Sequence, residues 1–191
     1  VVAALCSRLL SATRLVYRYL LLQANVFRHR NRSDIYSFAS EHDMITWLSV
    51  VNQAVATVVM NWGVRRLQLH DYHGALSLQY LPKHLRPEVL YIAHNAHYNG
   101  VFALPTKQRR AYLYSMFNLN PAAVGKYTEH KSAFDTLHSL LSHMVEAQKG
   151  VGCAAVSPKY ASEIRTRLSP FWQIPQGELL SIFRPDACCC V

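Results

Sequence analysis

A chain of 191 residues, 51% hydrophobic and only 16% charged, has the material for a buried core, which excludes a disordered or low-complexity polypeptide. Its formal charge is +9 and unevenly spread: Arg8, Arg14, Arg18, Arg28, Arg30 and Arg32 all precede the first acid, Asp34, a bias that attracts phosphate or an anionic surface. The five cysteines (Cys6, Cys153, Cys188, Cys189 and Cys190) contain no C-x-x-C pair, which excludes a cysteine-built zinc site and a disulfide framework and suits a reducing compartment.

The chain begins with Val1 rather than Met, which predicts a piece of a longer reading frame. ALCSRLLSATRLVYRYLLLQAN predicts a helix over 3–24, followed by the basic loop FRHRNRSD. Ser40 is placed to cap a second helix, with Glu41 and Asp43 favouring its N-terminus. From Met44 to Val64 there are 21 residues without a charge, long enough to cross a bilayer. Thr46, Ser49, Asn52, Gln53, Thr57 and Asn61 interrupt that run, so a central buried helix is the expectation and a membrane-associated helical protein the alternative.

Val64, Leu67 and Leu69, then Leu76, Leu78 and Tyr80, suggest a short hairpin or irregular extended segments. VLYIA, at 89–93, reads as a buried strand, and NGVFALP as a second strand returning, since Asn99-Gly100 is a favoured hairpin pair. Thr106 caps TKQRRAYLYSMF, and Pro121 opens a brief helical turn. Lys131 to Lys149 places Ala133, Leu137, Leu140, Leu141, Met144 and Val145 at helical spacing, with Gly150 as the stop. Further helices are expected from Ser157-Pro158 to before Pro170, and at GELLSIF. The fold expected is mainly α with a small β component around 64–104, residues 1–191 forming a single folded region.

Histidines carry the chemical possibilities. HDYH and HNAH supply His70, His73, His94 and His97, a four-imidazole set for a transition metal; chance pairs among ten histidines are the competing reading, and no metal or other cofactor is expected. VLYIAHNAHYNGV also resembles the histidine segment of ovarian-tumour-type cysteine proteases. That resemblance implies His97 as base, Asn99 as its orienter and Cys6 as nucleophile. Ala3, Ala4 and Leu5 stand where that family places the Asp-Gly turn of its oxyanion hole. No P-loop, dinucleotide glycine fingerprint or G-x-S-x-G is present, and CCCV offers only a prenylation-like end at Cys188.

Fourteen arginines against six lysines suit phosphate forks, so Arg8, Arg14, Arg18, Arg28, Arg30 and Arg32 are the expected contacts to an RNA backbone, without sequence preference. HDMITWLSVVNQAVATVVMNWGVRRLQLHDYHGAL and YLPKHLRPEVLYIAHNAHYNGVFALP resemble capsid proteins of the totivirus type, which enclose double-stranded RNA genomes, the Leishmania RNA viruses among them. The resemblance implies a helical shell protein, a homo-oligomer in a virion or the host cytoplasm; some members of that group remove RNA caps through a histidine, but no histidine here matches that role, no catalytic residue is favoured and no small-molecule substrate is identified.

Overall fold

The computed structural model describes residues 9–12, 15–18, 24–27, 37–95 and 100–164. Strands β1 (Leu9–Ala12) and β2 (Leu15–Arg18) pair antiparallel, with Leu9 opposite Arg18 and Ala12 opposite Leu15. The helix expected over 3–24 is thus replaced by extended chain in both stretches. Val16 and Tyr17 favour that backbone, and pairing between strands overrides a helical period in leucine and arginine.

Helix α1 (Glu41–Trp62) starts and stops where its sequence directs. The Ser40 hydroxyl accepts from Asp43 N at 3.1 Å, and Gly63 takes the left-handed conformation that ends the helix. Ile45, Leu48, Ser49, Asn52, Ala56 and Val59 form its buried stripe, at spacings of three and four residues. Met60 and Trp62 lie exposed at its far end, so the helix is one-sided rather than enclosed all round. Its interior polar groups bond to protein: Ser49 Oγ donates to Met116 O at 2.8 Å, and Asn52 Nδ2 donates to Leu48 O at 2.8 Å and His73 O at 2.7 Å. This helix is long and apolar enough to cross a membrane. Those bonds to other parts of the fold make it a helix laid on a protein core instead.

The extended segments around 64–104 are two parallel strands, not a hairpin. β3 (Arg66–His70) pairs with β4 (Glu88–Ala93) from Arg66↔Glu88 to His70↔Ile92, and β4 pairs with β8 (Cys153–Ala155) from Tyr91↔Cys153 to Ala93↔Ala155, also parallel. The sheet order is β3-β4-β8. A parallel neighbour requires a crossover, which explains the 3₁₀ turns Ser77–Tyr80 and Lys83–Leu85 between β3 and β4. Because β8 is three residues long, Gln148 extends the pairing of β4 toward its amino end: its Oε1 accepts from Val89 N at 2.7 Å and its Nε2 donates to Val89 O at 2.9 Å.

NGVFALP does not return along β4. β5 (Val101–Ala103) instead pairs antiparallel with β7 (Ala133–Asp135), which pairs with β6 (Glu129–His130). Helices α2 (Lys107–Met116) and α3 (Pro121–Thr128) lie between β5 and β6, capped by Thr106 and Asn120. α4 (Thr136–Gln148) begins later than its apolar period suggests, because Ala133 and Phe134 are taken by β7 and Asp135 supplies the cap to His138 N. α5 (Pro158–Ile164) follows β8; GELLSIF lies outside the described residues.

One core joins these parts: Leu48 and Val59 of α1, Leu69 of β3, Val89 and Tyr91 of β4, and Leu140 and Met144 of α4 are buried together. Phe117 stacks on Phe134 with centroids 4.9 Å apart, and Phe102 lies 5.9 Å from Phe117. The expectation of a mainly helical, shell-protein-like region is therefore corrected to an α/β architecture with a parallel sheet. VLYIA is short and β-branched or aromatic in part, as a central parallel strand demands, whereas RLQLH at the sheet's edge buries only Leu69.

Candidate active site at the carboxyl edge of the parallel sheet

In open parallel sheets, ligands settle outside the carboxyl ends of the strands, where successive chains turn away from one another. Here β3 leaves through His70, Asp71, Tyr72 and His73, and β4 leaves through His94 and Asn95. β8 leaves beside them, with Val156 N donating to Ala93 O at 3.3 Å, and Ser157 Oγ accepts from Tyr160 N at the start of α5.

Asp71 ties the first two exits together. Its backbone has φ 50, and its N–H continues the ladder to Ile92 O at 3.1 Å. Its Oδ1 then accepts from His94 N at 2.7 Å and from Asn95 N at 3.1 Å. Two backbone donors on one carboxylate fix the turn after β4 against the turn after β3.

The imidazoles of His70 and His94 meet as a result. His70 Nδ1 lies 2.7 Å from His94 Nε2, with ring centroids 4.9 Å apart. On the other side, Gln68 Nε2 lies 2.8 Å from His70 Nε2. With the amide donating, His70 carries its proton on Nδ1 and gives it to His94 Nε2, so His94 Nδ1 is left as an N–H donor. Both rings are exposed at the sheet edge and can address a ligand's oxygens.

His73 has another task. Its ring stacks on Tyr72 at 4.2 Å and stands edge-on to Trp47 at 6.0 Å, and its carbonyl receives the Asn52 amide of α1. Burial holds its pKa below the ordinary histidine value, against the opposing pull of Asp71. Tyr91, fully buried beneath this edge, has its pKa pushed well above the usual phenol value, by burial first and by Asp71 next.

Of the four histidines weighed as an alternative metal set, the structure brings together His70 and His94 and turns His73 into the Tyr72 stack; His97 lies outside the described residues. Among the described residues no group of three His, Cys, Asp or Glu side chains is placed to hold a metal. Cys6 and Asn99 also lie outside them, as do Arg8, Arg14, Arg28, Arg30 and Arg32, and Arg18 ends β2. Asp71 binds the backbone of the turn after β4 and orients no metal ligand, a role that the sequence reading did not give it. Its signal was the same pattern twice, an apolar run entering a His-rich turn with glycine, at RLQLH-DYHG and VLYIA-HNAHYNG. Two such exits 24 residues apart mark adjacent parallel strands rather than hairpins.

A parallel sheet with helices, carrying histidines at its carboxyl edge, defines an α/β protein. The family model for the starch synthase catalytic domain matches residues 7–173, and the chain belongs to that family. It is similar to the cell wall alpha-1,3-glucan synthases of Schizosaccharomyces pombe: 32% identical to mok12 over 161 residues, covering 82% of this chain and 7% of the relative. To mok11 it is 31% identical over 158 residues, covering 81% of this chain and 6% of that protein. The chain thus spans less than a tenth of the length of these curated relatives.

These findings overturn the capsid reading, with its virion and host-cytoplasm location. The His-rich segments that resembled a shell protein are the strand exits of a glycosyltransferase domain. They overturn the cysteine-protease alternative in the same way, since VLYIAHN is a central parallel strand and its exit. The membrane-associated alternative through 44–64 falls as well, because α1 is a core-packed helix of that domain.

Proposed function

We propose that residues 1–191 act as one folded region of a glycosyltransferase that builds an α-glucan, transferring glucosyl units from an activated donor to a growing chain. The relatives named as alpha-1,3-glucan synthases support an α-1,3-linked product. The carboxyl edge of the parallel sheet is the place for the sugar-bearing reactant. The observation that carries this is the His70–His94 contact held by Asp71. It presents an oriented imidazole N–H at the exposed sheet edge, as needed to grip sugar hydroxyls or the oxygens of a departing anionic group.

Transfer of labelled glucose into polymer by the protein that carries this chain tests the reading. His94→Ala is expected to lower the rate by about a hundred-fold or more, as when one preorganised donor is removed, with the melting temperature little changed because the ring is exposed. A full rate in His94→Ala would remove the site assignment. No glucosyl transfer by the unaltered protein would remove the activity itself.

A further inference from the structure

At the opposite, amino edge of the same sheet lies a cavity of about 790 Å³. It opens between the end of α1, the starts of β3 and β4, and the turn before β4. Arg65, Arg66, His84 and Arg86 face it, and its apolar wall is Val59, Met60, Val64, Leu85 and Pro87. The only carboxylate among its lining residues, Glu88, is engaged with Arg66 at 3.2 Å.

Arg65 and Arg86 form no ion pair with any carboxylate of the described residues. Arg86 is half-buried, and its guanidinium reaches only neutral acceptors at long range: Leu81 O at 3.3 Å, His143 Nδ1 at 3.3 Å and Gln79 Oε1 at 3.5 Å. Glu146 acts on it electrostatically without bonding to it, and is itself shared by Lys126 and the Tyr127 hydroxyl. A half-buried guanidinium whose acid is shared and not in contact with it favours an anion beside it. The carbonyl end of α1 opposes this with about half a negative charge, too little to offset two unpaired arginines.

We propose that this cavity binds a soluble phosphate monoester, its phosphate held by Arg65 and Arg86 and its body laid on the Met60, Val64 and Leu85 wall. Arginine forks suit a terminal phosphate, and the volume suits a small-molecule ligand rather than a bare ion. His84 adds a further donor to the phosphate, and a positive charge when protonated. The site is separate from the carboxyl edge, because β3 and β4 run their full length between the two.

Calorimetric titration of the full chain with phenyl phosphate and with inorganic phosphate tests the assignment. Phenyl phosphate is expected to bind more tightly than inorganic phosphate, and Leu85→Ser to narrow that difference. Arg65→Gln is expected to weaken phenyl phosphate binding about ten-fold, the loss of one charge-assisted contact; Arg65 is exposed and unpaired, so the fold survives its change. Arg86→Lys, which keeps the charge but loses the fork, should weaken it as well. His94→Ala should leave the affinity unchanged. Binding that is lost in His94→Ala but kept in Arg65→Gln would place the ligand at the other edge and overturn the proposal. So would binding only to phosphatidylcholine vesicles containing phosphatidic acid, or no binding of either phosphate.

Discussion

Gly100 shows how tightly single residues are constrained beneath the site. Its φ is +63, and a Cβ there would run into Thr136 Oγ1 and come within 2.6 Å of Tyr72 Cδ2. Thr136 N also donates to Gly100 O at 3.2 Å, so the segment entering β5 is pinned between Tyr72 and the start of α4. Gly100→Val meets both the left-handed backbone penalty and overpacking, and is expected to cost on the order of 3 kcal/mol in urea denaturation. A variant as stable as the parent would show that Tyr72 and Thr136 yield without cost. The local Asn99-Gly100 signal thus marked a position of positive φ at Gly100 while suggesting the wrong partner for the strand that follows. A dipeptide favours a turn, but it carries no information about which distant strand, here β7, offers the better pairing.

Among the elements, α1 and α2 begin at caps that could be read directly, Ser40 and Thr106, and α1 has local signals at both ends. Ser40, Asp43 and Gly63 act within a turn of its ends, so neighbouring residues decide where it starts and stops. Its orientation depends on contacts that sequence proximity does not reveal. Asn52 is the clearest: its amide links Leu48 O in the helix to His73 O in the turn after β3, 21 residues away. Asn52→Ala removes both bonds and strands a carbonyl in the interior, with an expected loss of about 2 kcal/mol. Asn61→Ala, on the exposed end of the same helix, should stay within about 0.5 kcal/mol of the parent. Equal effects of the two changes in denaturant titrations would mean that the Asn52 tether contributes nothing. VLYIA was likewise recognisable as a strand from composition, yet its parallel neighbours come from segments that begin at Arg66 and Cys153. The His70–His94 contact was hidden for the same reason, since it exists only once β3 and β4 are in register.

The whole molecule carries a pH dependence centred on His143 of α4. Burial, and then the neighbouring Arg86 guanidinium, lower its pKa from 6.5 to about 4. Arg86 Nη1 occupies Nδ1, so the folded protein holds this ring neutral. The unfolded chain takes up a proton as pH falls below the ordinary value, while the folded chain resists until about pH 4. Stability from this residue is therefore complete above about pH 6.5 and declines toward pH 4, by roughly 3 kcal/mol across the window. Denaturation midpoints measured from pH 7 to pH 4.5 should fall, and His143→Gln should flatten that decline. An unchanged slope in the variant would assign the acid sensitivity to other groups. Asp135, whose pKa burial raises, works in the opposite direction and gains relative stability as pH drops.

The Gln148 side chain on β4 bears on how the chain is made. Cys153 follows Ala93 by 60 residues, so β4 is synthesised well before its last neighbour. At about 5–20 residues per second, that leaves an open edge for roughly 3–12 seconds. An unpaired apolar strand is at that stage a template for any other extended chain. Gln148 precedes β8, and its amide both accepts from and donates to Val89 as a strand residue would. It also donates to Val151 O at 2.8 Å, which ties the approach to β8 to the same point. The closing strand is thereby delivered in one register, and a slip of one residue, which would turn Cys153 and Ala155 to the opposite face, is disfavoured before the pairing forms.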